Sequence, residues 1–150
     1  MSEPRSTGQR RSDVLAGLGE NRDVWLATAS PSGRPHMIAV SSLWDGSQVV
    51  IATIGGNRTA RNLDATGWAR LALGSPDDVS MIDVRVSDSV PVHEADPQLA
   101  AGFAADVGWN PIEEAGNWRF FRLKPLEIQA YRGYGELQGR QVMHDSQWLD

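Results

Sequence analysis

The stretch VWLATASPSGRPHMIAVSSLWDGSQVVIATIGGNRTARNL, from Val24 to Leu63, decides the fold. Val24 to Ala29 has the apolar run of a buried strand. Ser30-Pro31-Ser32-Gly33 carries turn chemistry. A second strand follows over about His36 to Trp44, and Asp45-Gly46 is a hairpin turn. The third strand is Gln48 to Thr53. Three successive strands on short turns make an antiparallel meander. Gly55-Gly56 breaks the third strand. Asn57 is then placed to cap a helix from Thr59 to about Ala65, which Gly67 stops.

Outward from this centre the pattern continues. Met1 to about Ser12 is polar and expected to be loose. Asp13 is expected to cap a short helix that Gly19-Glu20-Asn21 ends. Trp68 to Leu73 and Val79 to Val90 alternate as strands four and five. Asp96-Pro97 opens a helix to about Val107. Trp118 to Leu123 and Leu126 to Tyr131 read as two more strands, split by Lys124-Pro125. The tail from Gly133 to Asp150 is polar. The tally is about seven strands and two or three short helices. No strand–helix alternation of a parallel sheet is present. The expectation is therefore a mainly β fold: an antiparallel barrel with helices outside it, residues 13–150 forming one domain.

Composition excludes several chemistries. With 150 residues, one domain is expected. With no Cys, there are no disulfides, zinc ribbons, iron–sulfur clusters or thiol catalysis. A net charge of −5 argues against nucleic acid as a partner. No apolar run approaches the ~20 residues that span a bilayer, and no export signal is seen, so a cytoplasmic location is expected. Asn57-Arg58-Thr59 matches a glycosylation sequon, which we take as accidental. The three His (His36, His93 and His144) lie far apart, and no metal site is expected. Walker, H-E-x-x-H, EF-hand, G-x-G-x-x-G and G-x-S-x-G patterns are all missing. Any chemistry would belong to a bound organic cofactor.

One segment fits such a cofactor. In Thr53 to Leu63 a strand ends, a glycine turn follows, and a helix opens with Asn57, Arg58, Thr59 and Arg61. A helix start presents unpaired N–H groups and a partial positive charge. Added arginine and hydroxyl donors make a phosphate cradle. The plainer alternative is a capped surface helix with solvated arginines.

Taken together, Trp25 to His36 and Thr53 to Leu63 resemble the FMN-binding split-barrel proteins, the pyridoxamine-phosphate-oxidase-like superfamily that includes deazaflavin-dependent reductases. The resemblance covers Val24 to Val90 and continues more weakly through Trp118 to Tyr131. It implies a six- to seven-stranded antiparallel split barrel of the FMN-binding type and a homodimer with cofactor sites between subunits. It implies that Ala52, Thr53, Asn57, Arg58, Thr59 and Arg61 surround the cofactor phosphate. The ring would lie along Met37 to Ser41, with Ile38, Ala39 and Val40 central, and Asp83 would stand at its edge. Ile38 and Leu43 replace the oxidase's Arg and Lys, and Gln129 to Asp150 has no match to its substrate-binding segment, so that oxidase's own reaction is not carried over.

FMN is the expected cofactor. The alternative is a deazaflavin coenzyme of the F-420 type, whose acidic tail would suit Arg58, Arg61 and Arg34. A non-catalytic carrier on the same barrel is a rival, and so is haem binding through His36, His93 or His144. Trp25, Trp44, Trp68 and Trp118 are expected in the core or a dimer interface. Trp109 is a candidate to stack on a ligand. Asp83 has a competing expectation, a cross-strand pair with Arg70 or, more readily, Arg85. The overall expectation is an oxidoreductase acting on a small molecule.

Overall fold

A computed structural model describes residues 2–20 and 23–150. The strands are β1 (Asp23–Ala29), β2 (Pro35–Trp44), β3 (Val49–Ile54), β4 (Trp68–Ser75), β5 (Asp78–Pro91), β6 (Trp118–Tyr131), β7 (Gln141–His144) and β8 (Gln147–Trp148). The α-helices are α1 (Thr7–Glu20), α2 (Arg58–Thr66) and α3 (Pro97–Val107). Every strand pairing is antiparallel, in the order β3-β2-β1-β4-β5-β6-β7-β8. A further β3–β6 ladder, from Val49↔Leu123 to Ile54↔Trp118, joins the ends of the first six strands into a closed barrel. The last two strands extend from β6 outside that ring.

Alternation fills the barrel. Val24 and Leu26 of β1, Leu71 of β4, Ile82 and Val84 of β5 and Ile128 of β6 all point inward and are buried. β3 behaves differently: Val49, Val50, Ile51, Ala52 and Thr53 are all buried. One face of β3 joins the barrel core, while Val50 and Ala52 join a second cluster with Phe103 of α3 and Phe120 of β6. α3 thus covers the outside of the barrel at β3 and β6, which is why β3 is a continuous apolar run.

Three expectations need correction. The first helix starts at Thr7, not after Asp13. Ser6 Oγ accepts from the Gln9 N–H at 3.1 Å, so the cap lies seven residues earlier. Arg10 is buried within this helix and donates to the carbonyls of Arg5, Ala130, Glu136 and Gln138 at 2.9–3.2 Å. The expected stop at Asn21, like Met1, lies outside the described residues. Secondly, Lys124-Pro125 does not divide two strands. β6 runs through it with a bulge, because Asp83 faces Glu127 while Val84 faces Pro125, leaving Leu126 as the extra residue. Proline is tolerated at a bulge, where no ladder N–H is needed. Thirdly, the polar tail holds two short strands, giving eight among the described residues. Among the described residues, no helix is long and apolar enough to cross a membrane.

The tryptophans divide. Trp44 and Trp118 are half-buried against the two cores. Trp25 and Trp68 are each 52% exposed, so neither is a core residue of the single chain. Their strands turn them to the outer face of the sheet, where Trp25 lies between Ala39 and Ala72.

Candidate functional site

The barrel is split between β2 and β3. β1 accompanies β2 from Pro35 to Ser41, but β3 pairs with β2 only at Ser42, Leu43 and Trp44. From Met37 to Ser41, β2 therefore has a strand neighbour on one side only. β3 leaves because Ala52, Thr53 and Ile54 take Phe120, Arg119 and Trp118 of β6 as partners. The Gly55 N–H then donates to the Asn117 carbonyl at 2.6 Å. A Cβ on Gly55 would sit 3.1 Å from the Asn117 carbonyl oxygen, tighter than ordinary contact, so this close approach favours glycine.

Helix α2 starts directly beyond. Asn57 Oδ1 accepts from the Ala60 N–H at 2.9 Å, and Asn57 Nδ2 donates to Thr53 Oγ1 at 2.8 Å. One side chain thus caps the helix and ties it to the end of β3. The helix ends at Gly67, in the left-handed region. Its inner face buries Thr59, Ala60, Asn62 and Leu63, which leaves Arg58 and Arg61 exposed. Asn62 Nδ2 donates to Thr28 Oγ1 at 3.0 Å, fixing α2 against β1.

Arg58 and Arg61 open onto a groove of about 400 Å³, with Asn62 and Ala65 on the helix side and Ser30, Pro31, Ser32 and Arg34 on the β1–β2 turn. Ser30 Oγ accepts from the Arg34 N–H at 3.0 Å and lies 2.9 Å from Ser32 Oγ. Among the described residues, none of the three guanidinium groups has a hydrogen-bond or ion-pair partner. Three uncompensated cations on one groove suit an anionic ligand, and arginine suits phosphate oxygens in particular. The donor set fits a cofactor phosphate.

The structure brings Arg58, Arg61 and Arg34 together. It places Asn57 beside them as a cap. Ala52, Thr53 and Thr59 are buried behind the helix start. Ile38 and Ala39 are exposed on the one-sided stretch of β2, and Val40 is half-buried there. Asp83 is elsewhere on the sheet, held by Arg70 Nε at 2.5 Å and Nη2 at 3.1 Å. Arg85 is not its partner, because that guanidinium lies over the Trp68 ring, 5.7 Å from its centre. Trp109 is taken up in packing: it meets Phe103 and Trp118 edge-on at 5.8 and 5.1 Å, and its Nε1 donates to Ser41 Oγ at 3.0 Å.

Sequence reasoning missed two things. The Ser30–Ser32 wall was legible only as a turn, since nothing local says that α2 faces it. The Glu127–His144–Asp145 cluster, with ligand atoms within 4.8 Å of one another, joins β6 to the β7–β8 turn. A search for paired histidines does not find it.

A closed six-stranded antiparallel barrel, split beside an arginine-lined groove at a helix start, defines a split-barrel cofactor-binding class. The pyridoxamine 5'-phosphate oxidase family profile matches residues 13–132, and the chain belongs to that family. Among curated proteins none matches the sequence. Solved structures share the fold. One is an F420 reductase, 18% identical, with a TM-score of 0.64 over 75% of this chain and 93% of that one. Another is a pyridoxamine 5'-phosphate oxidase-related, FMN binding protein from Nostoc punctiforme, 17% identical, with a TM-score of 0.57 over 87% of each chain. A third is the haem storage protein of Vibrio cholerae, 12% identical, with a TM-score of 0.61 over 92% of this chain and 99% of that one.

Proposed function

We propose that this protein is a cytoplasmic FMN-dependent oxidoreductase that works as a homodimer on a small organic molecule. The observation that carries this is the convergence of Arg34, Arg58 and Arg61, without partners among the described residues, on a groove between α2 and the turn that leads into β2. When bound, the flavin supplies hydride transfer. The chain's own residues bind and orient it. Arg58 and Arg61 neutralise its phosphate at the start of α2, where the helix's free N–H groups add a favourable field. Asn57 and Thr53, bonded to each other, hold that helix start in place. On the edge away from β1, Met37 to Ser41 offers backbone donors and acceptors that no strand pairs, which suits the polar edge of a flat ring system.

The outer face of the sheet supports the dimer. Trp25, Met37 and Trp68 are exposed there, with Ala27, Ala39 and Ala72 between them. A second copy of the chain is the occupant that removes this apolar surface from water.

A deazaflavin coenzyme is the second candidate, favoured by the third arginine. Arg34 stands on the turn, across the groove from Arg58 and Arg61, where it would meet an acidic tail beyond the first phosphate. The absorption spectrum of the purified protein, followed by titration with FMN, deazaflavin coenzyme and haem, separates these. We expect a flavin band and saturable FMN binding. A Soret band, or no binding of any of the three, would overturn the assignment.

A further inference from the structure

A second pocket lies at the other end of β3 from the arginine groove. Val49, where β3 starts, pairs with Trp44, which lines the pocket. Six residues on, about 20 Å of strand, β3 ends and the chain turns towards Arg58. The pocket encloses about 270 Å³, at the small end for organic ligands. Leu15 of α1, Trp44 of β2, Pro125 of β6, Met143 of β7 and Trp148 of β8 give it apolar and aromatic walls. It shares no residue with the Trp25, Met37 and Trp68 face of the sheet.

The polar groups that remain available there are donors. Lys124, the one lysine in the chain, lines the pocket, and no lining residue is acidic. Among the described residues its ammonium has no hydrogen-bond or ion-pair partner, and its cross-strand neighbour on β5 is a second cation, Arg85. Asp45, in the β2–β3 hairpin beside the pocket, is already engaged: it accepts from the Ser47 and Gln48 N–H groups at 2.9 and 2.7 Å and from Arg122 Nη1 at 3.0 Å. The two lining hydroxyls are spent as donors, Ser47 on Asp45 and Ser146 on the Pro125 carbonyl. Neither the Trp44 nor the Trp148 indole N–H has an acceptor among the described residues. The Arg11 guanidinium stands over Trp148, 4.9 Å from the ring centre, and adds positive charge beside the pocket without lining it.

From this we infer that the pocket binds a small aromatic carboxylate, its ring against the indoles and its charge on Lys124. The physical basis is complementarity of two kinds. An uncompensated ammonium and two unpaired indole N–H groups suit a ligand head that only accepts, and an ionised carboxylate is the compact organic group of that sort. Two indoles, a proline ring and the Met143 thioether suit a flat ring better than an alkyl chain, because ring faces and edges add contact energy beyond their buried area. An amine would meet like charge at Lys124 and Arg11 and find no carboxylate to pair with among the lining residues. The small volume limits the ligand to one or two fused rings. The site stands apart from the arginine groove, and the inference does not depend on which cofactor that groove takes.

The test is calorimetric titration of the full-length protein with indole-3-acetate, tryptamine and hexanoate. Indole-3-acetate should bind about tenfold more tightly than either of the others. Lys124→Gln, at an exposed position, should weaken it about fivefold or more and leave FMN affinity unchanged. Lys124→Glu should reverse the preference, so that tryptamine binds more tightly than the acid. Arg58→Ala separates the two places where an anion could sit, and should leave indole-3-acetate binding as it is. Acid binding that falls in Arg58→Ala and survives Lys124→Gln would belong to the arginine groove and overturn the inference. The inference also fails if indole-3-acetate does not bind, if tryptamine binds equally well, or if hexanoate matches the ring compound. FMN titration is read separately, so loss of one assignment leaves the other standing.

Discussion

Among the described residues Arg58 has no hydrogen-bond or ion-pair partner, although the chain carries more acidic than basic groups. Arg34 and Arg61 share this state on the same groove, a concentration of positive charge that suits an anionic ligand. Arg58→Ala should therefore weaken FMN binding more than tenfold, since charge-assisted bonds to a phosphate contribute roughly 1.5–3 kcal/mol. Fluorescence titration of FMN checks this, and an unchanged affinity would place the phosphate elsewhere. At this scale Arg58 and Arg61 were legible, because they open a helix after a glycine turn. Arg34 was half legible. Ser30, Ser32 and Asn62 were not, since their role depends on α2 docking against the β1–β2 turn, a contact between distant stretches of chain. The Asp83–Arg70 pair was legible as one of two options. The register Arg70↔Asp83 decides it, while Trp68↔Arg85 puts the rival arginine over an indole.

Elements are decided by caps, bulges and close approaches. Asn57→Ala removes both the α2 cap and the bond to Thr53, and should cost about 1–2 kcal/mol in urea unfolding. The same variant should also bind FMN less tightly, because the helix start is no longer fixed to β3. Wild-type stability in that variant would show that the cap contributes nothing here. Strands β1 to β5 and helices α2 and α3 were legible because alternation, turn dipeptides and cap residues agree locally. The start of α1 was misplaced because Asp13 is a plausible cap, but its carboxylate instead accepts from Arg5 and Gln9. The continuity of β6 was hidden by Pro125, since only the partner strand reveals that a bulge absorbs it. β7 and β8 are too short to produce a periodic signal.

For the whole molecule, the barrel class and its six- to seven-stranded size were legible through the resemblance; which strands close the ring was not, because the β3–β6 pairing has no local signature. Two predictions belong here. Trp25→Glu should convert a dimer to monomer at micromolar concentration in analytical ultracentrifugation. A wild-type monomer would remove the dimer from the proposal. The second concerns acid. The Arg5 side chain holds Glu136 by a hydrogen bond of 2.7 Å and brings its pKa from 4.5 down to about 2. Between those values the unfolded chain takes up a proton that the folded chain resists. Stability from this pair is thus complete above about pH 4.5 and is lost as pH falls towards 2. Glu136→Gln should flatten the acid limb of the unfolding profile over that window. At neutral pH it should cost about 3 kcal/mol, the lower end for breaking a buried pair, because Arg5 keeps Asp13. The Arg10 cage has a consequence in time as well as in energy. Its guanidinium waits in the first helix for carbonyls at Ala130, Glu136 and Gln138, and β3 waits for β6. On the ribosome the early strands therefore emerge with their ring open and their first helix unanchored. The native barrel can lock only after nearly all of the chain has been made, so folding should be slow and late rather than progressive.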